Sequence, residues 1–341
     1  TAAAHTKSIA RKIIAEKLPE YATPYAIVKT PAEARAAFDN IRAQMGRDVK
    51  VVMKPIHGGG SQGVKVDIAS PAEAAAAYAE IDSFLLEFQK RPDAGFEMLD
   101  THPGIMMELM LEGPEVDVEI GKSQDKLLWG KILDNAPMDR PNAVEKNIAT
   151  PSQLPAAAQA ALIEAASKMV SALGLEFGNF HVEMMMTPEG PRLLEVNARM
   201  GGATVAKVVR RVYGLDLIDS GIRALFGLEI DPGHEPDVFL ECRFIIPQVT
   251  GTIEAIEGLE EAKALAGVDE IPFFKKVGDR QIAATEDTFD YIGYIHGAGK
   301  DYSETIERTL AALKMIRIKI RKADGTLVEQ GADFSHTPVN M

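Results

Sequence analysis

Apolar positions recur along this chain with two different periods, and together they predict a protein that mixes helices and strands. Apolar residues at helical spacing predict helices over residues 5–18, 32–45, 72–88, 155–173, 204–213 and 302–315. Short apolar runs bounded by glycine and proline predict strands over residues 21–29, 49–55, 64–68, 104–111, 115–121 and 126–134, and two more over 180–197. Residues 135–154 show neither period, which predicts a loop-rich segment.

The order of these elements predicts four parts in the chain. An N-terminal helix (1–21) leads into a small α+β lobe (22–106), and a larger lobe follows (107–230). The last part (231–341) is richer in strands, and we expect it to pack on the larger lobe.

Composition and charge narrow the range of partners. The 341 residues include 50 acidic and 37 basic ones, a formal charge of −13, which disfavours nucleic acid because the phosphate backbone is also negative. The single cysteine, Cys242, excludes an intrachain disulfide. The sequence shows no apolar run of about 20 residues, and its first residues, TAAAHTKSIARK, lack the apolar core of a signal peptide. We therefore expect a soluble cytoplasmic protein that has no membrane partner.

A glycine-rich segment, KPIHGGGSQGV, lies between two predicted strands at residues 54–64. Its Gly58, Gly59, Gly60, Ser61 and Gly63 fit the GxGxxG pattern, but a strand follows where a dinucleotide-binding fold would have a helix. The segment therefore predicts a hairpin tip whose backbone amides cover phosphates, with Lys54 as a point charge beside it. The alternative is a mobile tip with a solvated lysine.

The strands FHVEMMM and RLLEVN flank a predicted five-residue turn at residues 187–191. If Met186 faces Arg192, antiparallel pairing places Glu183 opposite Glu195 on one face of the sheet. Directly opposed like charges destabilise a sheet by about 0.2–1 kcal/mol. Either a bound cation offsets this repulsion, or the face is fully hydrated.

The same pairing places His181 opposite Asn197. Two carboxylates and an amide oxygen suit Mg²⁺, which prefers hard oxygen ligands and completes its shell with water and phosphate oxygens. We expect His181 to form hydrogen bonds and not to bind the metal. The hairpin therefore predicts a magnesium site, subject to the inferred register.

A glycine hairpin with a strand lysine, followed more than a hundred residues later by Glu…Glu-x-Asn, resembles the ATP-grasp superfamily. The chain is similar to its carboxylate–amine ligase branch, near the L-amino acid ligases and carnosine-synthase-like enzymes. The resemblance implies an α+β (α/β) ATP-grasp fold with a small lid lobe and a larger antiparallel-sheet lobe. Family members carry a further N-terminal α/β domain, whereas this chain begins at the helix that holds Lys7, so we expect either a fragment or a shortened member.

The resemblance also implies how ATP binds between the two lobes. Lys7 and Lys54 would contact the phosphates, while the segment from Gly58 to Gly63 would cover them. Glu108 and the backbone of Leu109 and Leu111 would hold adenine. Glu115 would accept hydrogen bonds from the ribose hydroxyls.

The remaining site residues implied by the resemblance bind metal and stabilise developing charge. Glu183, Glu195 and Asn197 would bind Mg²⁺, with Mn²⁺ as an alternative. Arg199 would stabilise an acyl phosphate and the oxyanion formed when an amine attacks it. Arg243 would be a second substrate-side arginine, or else would form a salt bridge on its strand.

The implied reaction joins a small-molecule carboxylate, expected to be an amino acid, to an amine through an acyl phosphate, with release of ADP and phosphate. The resemblance also implies a homodimer. One alternative is a biotin carboxylase-like or purine-pathway enzyme. Bicarbonate is disfavoured as the substrate because Met200-Gly201-Gly202-Ala203 stands where the biotin carboxylases have Gln-Val-Glu-His. The other alternative is a nucleotide-binding subunit without catalysis.

Overall fold

The computed structural model describes residues 2–88, 90, 104–137, 143–202, 204–288 and 290–332. The helices in this part of the chain are α1 (Ala2–His5), α2 (Lys7–Lys17), α3 (Pro31–Met45), α4 (Pro71–Phe88), α5 (Ala156–Ala172), α6 (Val205–Tyr213), α7 (Leu217–Phe226), α8 (Leu259–Lys263) and α9 (Tyr302–Met315). Five of the six predicted helices are confirmed within about a residue at each end, and the first begins two residues later than predicted, behind the short α1. The sequence did not predict α7 and α8. None of the described helices has the length and apolar character needed to cross a bilayer.

Within the described ranges the strands form three antiparallel sheets. They are β1 (Tyr25–Val28), β2 (Val51–Pro55), β3 (Lys65–Ile68), β4 (Ile105–Leu109), β5 (Glu115–Ser123), β6 (Lys126–Asn135), β7 (Asn147–Thr150), β8 (Phe177–Thr187), β9 (Gly190–Asn197), β10 (Phe239–Ile245), β11 (Gly251–Glu257), β12 (Val268–Glu270), β13 (Arg280–Gln281), β14 (Gly293–Gly299), β15 (Arg317–Arg321) and β16 (Leu327–Gly331). The predicted loop-rich segment 135–154 was partly wrong, because it contains β7. This strand has only four residues and is buried along its whole length, so its sequence shows no alternation.

The small lobe is a four-stranded sheet in the order β1-β4-β2-β3, covered by α3 and α4. The side chain of Thr30 caps α3 by accepting a hydrogen bond from the backbone N–H of Glu33, and Gly46 ends the helix in a left-handed conformation. Although the predicted boundary between the lobes falls inside β4, this strand pairs only with β1 and β2. It therefore brings Glu108 and Leu109 to the edge of the small lobe that faces the larger one.

The larger sheet has eight strands in the order β12-β14-β10-β7-β6-β5-β8-β9. Along β5, Val116, Val118 and Ile120 are buried in the core beneath α5. The alternate residues of β5 therefore point to the opposite face of the sheet. The third sheet, β13-β11-β15-β16, belongs to the last part of the chain, which also supplies β10, β12 and β14 to the larger sheet.

The β8–β9 hairpin contains a register shift that the sequence did not reveal. The turn is tighter than predicted: Thr187 pairs with Gly190, and Met186 pairs with Pro191 and not with Arg192. A bulge at Leu194 then restores the pairing of Glu183 with Glu195 and of His181 with Asn197. The predicted turn was wrong, and the predicted carboxylate pair is confirmed.

Candidate functional site

A cavity of about 1480 Å³ lies between the small lobe and the larger sheet. It exceeds the roughly 300–1,000 Å³ typical of a pocket for one ligand. Most of the site residues implied by the sequence line its wall. They are Lys7, Lys54, Gly58, Gly59, Gly60, Ser61, Glu108, Leu109, Leu111, Glu115, Glu183, Glu195, Asn197 and Arg199.

The glycine segment forms a roof over this cavity. The Lys7 ammonium donates a hydrogen bond to the Gly58 carbonyl at 2.5 Å, and the Thr288 hydroxyl donates to the Gly60 carbonyl at 2.8 Å. Thr288 comes from the last part of the chain, so the roof contacts both neighbouring parts. Gly63 does not line the cavity. It has a φ of +70°, and a Cβ there would contact the ring of Phe84, so this glycine permits close packing of the hairpin.

Lys54 lies below the glycine roof, where it pairs with a buried carboxylate. Glu108 forms ion pairs with Lys54 at 2.6 Å and with Arg11. Burial raises the pKa of Glu108, but the charges of Arg11 and Lys54 outweigh it and lower the pKa to about 2. The Glu108 carboxylate is therefore ionised and engaged with two cations, so its structural role is to position Lys54.

The segment after β4 supplies backbone groups at the cavity wall. The N–H of Leu109 donates to the Pro24 carbonyl at 2.9 Å, which leaves the carbonyl of Leu109 and the backbone of Leu111 for contact with a base. Glu115 lies on the same wall. Burial, followed by the charges of Glu183 and Asp117, raises its pKa to about 8.

The two hairpin carboxylates carry opposite pKa shifts. Burial and the charge of Glu183 raise the pKa of Glu195, although Lys7 lies 3.3 Å from its Oε2. Burial also raises the pKa of Glu183, but the hydrogen bond and charge of His181 outweigh it, so this pKa is lowered. Glu183 is therefore the more strongly ionised of the two.

His181 acts as a cation inside this acidic wall. Burial lowers its pKa, but the charge of Asp117 and the hydrogen bond to Glu119 raise it well above the usual range. Its Nδ1 donates to Glu119 at 2.5 Å, and its Nε2 lies 3.5 Å from Glu183. The expectation that His181 forms hydrogen bonds is confirmed.

The donor set of the hairpin fits a hard divalent cation. Burial and neighbouring carboxylate charges raise the pKa of Glu145 to about 8 and that of Asp117 to about 6, which indicates an excess of negative charge. The amide nitrogen of Asn197 is buried without a hydrogen-bond partner, so this side chain can reorient to present its oxygen. No three described His, Cys, Asp or Glu side chains form a metal site by themselves. A cation at the hairpin would therefore bind two carboxylates and an amide and take its other ligands from phosphate oxygens and water.

Glu119 fixes the loop that follows β9. It is fully buried, and both of its carboxylate oxygens accept a hydrogen bond from the backbone N–H of Gly201 at 3.1 Å. The approach is so close that a Cβ at Gly201 would lie 2.5 Å from Glu119. Arg199, two residues earlier, is exposed to the cavity, and its guanidinium donates to the Met200 carbonyl at 3.0 Å. Glu119 therefore positions the segment that carries Arg199.

Arg243 does not line the cavity. It is 1% exposed and forms an ion pair with Glu241 on the same strand at 2.5 Å. Asn147 on β7 donates a further hydrogen bond to Glu241. Of the two alternatives drawn from the sequence, the strand salt bridge is the one that the structure shows, and the substrate-side position is wrong for Arg243.

Several cavity residues were missed by sequence reasoning. Phe244 and Tyr291, whose rings stack at 4.6 Å, form an aromatic wall with Phe274, and Glu145 lies on the same side of the cavity. These four residues come from four separate segments with no shared periodicity, so no local signal points to them. Arg11 was detectable, because it lies four residues after Lys7 on one face of α2.

Two family profiles match this chain. The profile described as "ATP-grasp domain" matches residues 47–207, and the profile described as "L-amino acid ligase C-terminal domain 2" matches residues 243–321.

Curated relatives are similar to parts of the chain. Carnosine synthase 1 of Gallus gallus is 40% identical over 135 residues, which are 37% of this chain and 14% of that protein. An uncharacterized protein, y4rH, of Sinorhizobium fredii is 26% identical over 271 residues, which are 80% of this chain and 52% of that protein. The chain thus spans about half or less of the length of these relatives.

Solved structures share the fold over nearly the whole chain. The L-amino acid ligase of Bacillus licheniformis superposes with a TM-score of 0.71 at 22% identity, covering 94% of this chain and 73% of that one. The biotin carboxylase domain of the Hydrogenobacter thermophilus 2-oxoglutarate carboxylase gives a TM-score of 0.68 at 15% identity, covering 96% and 67%. At these identities the two likenesses establish the fold alone.

Proposed function

Because this chain belongs to the ATP-grasp superfamily, in the branch of the L-amino acid ligases and carnosine synthases, we propose that it is an ATP- and Mg²⁺-dependent carboxylate–amine ligase. One substrate supplies a carboxylate, expected to be that of an amino acid, and the other supplies an amine. The products are an amide, ADP and phosphate.

The glycine roof and the two lysines below it support the proposed binding of the ATP phosphates. Lys54 and Lys7 place two positive charges below the glycine segment, where a Cβ built at Gly58 or Gly59 would have no heavy atom within 4 Å, so side chains do not crowd the backbone there. The backbone of Leu109 and Leu111 would hold the adenine ring at the far wall. When bound between Glu183, Glu195 and Asn197, Mg²⁺ would neutralise charge on the transferring phosphoryl group.

In the first step, a carboxylate oxygen of the substrate attacks the γ-phosphorus of ATP. A bond forms between them, the bond from that phosphorus to ADP breaks, and an acyl phosphate results. Lys54 and Lys7 stabilise the charge that spreads over the phosphoryl oxygens. The roof excludes water, which would otherwise hydrolyse the acyl phosphate.

In the second step, the amine nitrogen attacks the acyl carbon. The carbon–oxygen bond to phosphate breaks, phosphate leaves, and the nitrogen loses one proton as the amide forms. Arg199, exposed on the cavity wall, would stabilise the tetrahedral oxyanion. Glu119 contributes indirectly, because it fixes the backbone at Gly201.

The substrate side combines acidic and aromatic groups. Glu145 lines the cavity and could pair with the ammonium group of an amino acid, because burial and the charges of Asp117 and Glu183 raise its pKa and a bound cation would offset that charge. The stacked rings of Phe244 and Tyr291 provide an apolar surface for a substrate side chain. The N-terminal end of α6, at Gly202 and Val205, reaches the same cavity and could bind a free carboxylate.

The observation that carries this proposal is the carboxylate pair Glu183–Glu195, with Asn197 beside it, on the wall of a cavity that also holds Lys54 and the glycine roof. The test is ADP release with Mg²⁺ across a matrix of amino-acid pairs, with mass spectrometry of the product. We expect ADP release to require two amino acids and to coincide with a dipeptide mass.

Glu189→Gln is a matched control, because Glu189 is exposed at the tip of the same hairpin. Full activity in this variant, with loss in Glu195→Gln, would support the assigned site. ADP release that depends on bicarbonate would instead indicate a carboxylase-type reaction. Tight ATP binding without ADP release for any pair would indicate a binding subunit.

A further inference from the structure

The bulge at Leu194 is held by a side chain from outside the β8–β9 hairpin. A bulge leaves its extra residue out of the regular ladder, so the backbone carbonyl there needs another hydrogen-bond partner. Arg11 on α2 provides it, because its Nη2 donates to the Leu194 carbonyl at 2.8 Å. The bulge is therefore joined to a helix that lies 183 residues earlier in the chain.

The direction in which Glu195 points depends on this bulge. If the pairing of Met184 with Leu193 continued without a bulge, Glu195 would lie opposite Val182 and not opposite Glu183. Val182 is buried in the core beneath α5, so a one-residue slip would turn Glu195 away from the cavity. The hydrogen bond from Arg11 thus favours the register in which the two carboxylates meet.

The Arg11 side chain is itself fixed in place. It is 4% exposed, and its Nε pairs with the Glu108 carboxylate, which also pairs with Lys54 at 2.6 Å. A guanidinium is planar and presents its donors in fixed directions, so the contact with Glu108 also orients the Nη2 that reaches Leu194. One side chain therefore connects the carboxylate that holds Lys54 with the strand that carries Glu195.

Lys7 and Arg11 lie one turn apart on α2 and contact the same segment of β9 in different ways. Lys7 lies 3.3 Å from the Glu195 carboxylate, which a metal would also bind. Arg11 contacts the backbone before Glu195, and a metal bound to the carboxylate leaves that contact free. Arg11 can therefore hold Glu195 in the same place with or without a metal.

From these contacts we infer that Arg11 is a positioning residue of the proposed metal site. By holding the bulge at Leu194, it keeps Glu195 opposite Glu183, where both can bind one divalent cation. The inference rests on the proposed function, because Glu195 is a metal ligand only there.

Arg11→Lys tests this inference, because lysine keeps a positive charge beside Glu108 but lacks the planar group that reaches both partners. Isothermal titration calorimetry measures ADP affinity without Mg²⁺ and over a range of Mg²⁺ concentrations, which gives the Mg²⁺ affinity of the ADP complex by linkage. We expect the variant to keep its metal-free ADP affinity. Its Mg²⁺ affinity should fall by about 10- to 100-fold, the range typical for a residue that orients a metal ligand.

Lys12→Met is the matched control. Lys12 is the next residue of α2, its side chain is 70% exposed, and it pairs only loosely with Glu16 at 4.0 Å. This variant should keep both affinities. Circular dichroism and thermal midpoints establish that each variant is folded.

The possible outcomes separate this inference from the proposed function. Wild-type ADP binding that Mg²⁺ leaves unchanged would contradict the proposed metal site and this inference with it. If Mg²⁺ tightens ADP binding equally in the wild type and in Arg11→Lys, the inference alone is overturned. An equal loss of metal-free ADP affinity would assign the effect to Lys54, and an unfolded variant would assign it to the fold as a whole, so either result would also overturn the inference.

Discussion

Glu183 and Glu195 face each other across the β8–β9 hairpin, and a single extra residue, Leu194, makes that pairing possible. Their side chains are only 34% and 20% exposed, so water screens the two charges incompletely and a cation or a proton is needed to offset them. In this structure Lys7 and His181 supply positive charge next to the pair. On the proposed function, Mg²⁺ would replace these protein cations beside the carboxylate pair.

Glu195→Gln should separate metal binding from folding. The wild-type thermal midpoint should rise when Mg²⁺ and ATP are added, because a ligand that binds only the folded state stabilises it. The variant should lose this rise and should keep its midpoint without ligand, because the raised pKa of Glu195 means that its charge is disfavoured there. Differential scanning fluorimetry measures both. If the thermal midpoint of the variant rose with Mg²⁺ as much as that of the wild type, Glu195 would not be a metal ligand.

Stability without metal should decrease as pH rises towards 9. The pKa values of Glu115 and Glu145 are raised to about 8, above the value of about 4.3 expected in the unfolded chain. Groups of this kind stabilise the fold fully below the unfolded pKa, and that contribution is lost as pH rises through the folded pKa. Thermal midpoints from about pH 5 to pH 9 should therefore fall, and Glu115→Gln should flatten the curve. A midpoint that is independent of pH would contradict the charge excess.

Mg²⁺ affinity should rise over the same pH range. Metal binding to an acidic wall must displace the protons that these raised pKa values retain. Isothermal titration in two buffers of different ionisation enthalpy measures the number of protons released. A Mg²⁺ affinity that is constant between about pH 6 and pH 8.5 would show that metal binding releases no protons from these carboxylates.

Gly201→Ala should destabilise the protein, whereas Gly202→Ala should not. A Cβ at Gly201 would lie 2.5 Å from Glu119 Oε1, while at Gly202 the nearest atom, on Arg199, is 3.9 Å away. Overpacking of this kind costs about 1–3 kcal/mol in free energy of unfolding. Urea denaturation of the two variants provides the comparison. Equal stabilities would show that Glu119 moves away from the added Cβ without lowering the free energy of unfolding.

Glu108→Gln should be strongly destabilising. The substitution leaves Arg11 and Lys54 without their shared buried counter-charge, and loss of one partner from a buried ion pair costs about 3–5 kcal/mol. Glu112→Gln is the matched control, because Glu112 is exposed four residues later. The free energy of unfolding in urea, without nucleotide, distinguishes them. Similar stabilities would mean that solvent already screens the three charges.

Much of the fold followed from periodicity. The alternation along β5 agrees with the residues that enter the core, and the helical spacing of Val205, Val208, Val209 and Val212 predicted α6. These signals are strong because burial on one face repeats every two or every 3.6 residues. The carboxylate pair was predicted for the same reason, although the turn that was used to derive it was wrong by one position.

The residues that escaped prediction depend on tertiary contacts. Glu145 lies in a segment without period, and Phe244 and Tyr291 reach the cavity only because β10 joins the larger sheet. The sequence placed Arg243 equally well in a site or in a salt bridge, since only the position of Glu241 on the folded strand decides between them. A bulge such as that at Leu194 cannot be recognised from the types of residue around it.

The hydrogen bond from Thr288 to Gly60 affects how often the glycine roof opens. Two side-chain hydrogen bonds, this one and the one from Lys7 to Gly58, connect the roof to its neighbours, and each contributes on the order of 1 kcal/mol. Hydrogen bonds this weak break on a microsecond to millisecond scale, so in the proposed ligase the roof would open many times within one catalytic cycle. The last part of the chain, which supplies Thr288, would thereby influence how fast the product nucleotide leaves.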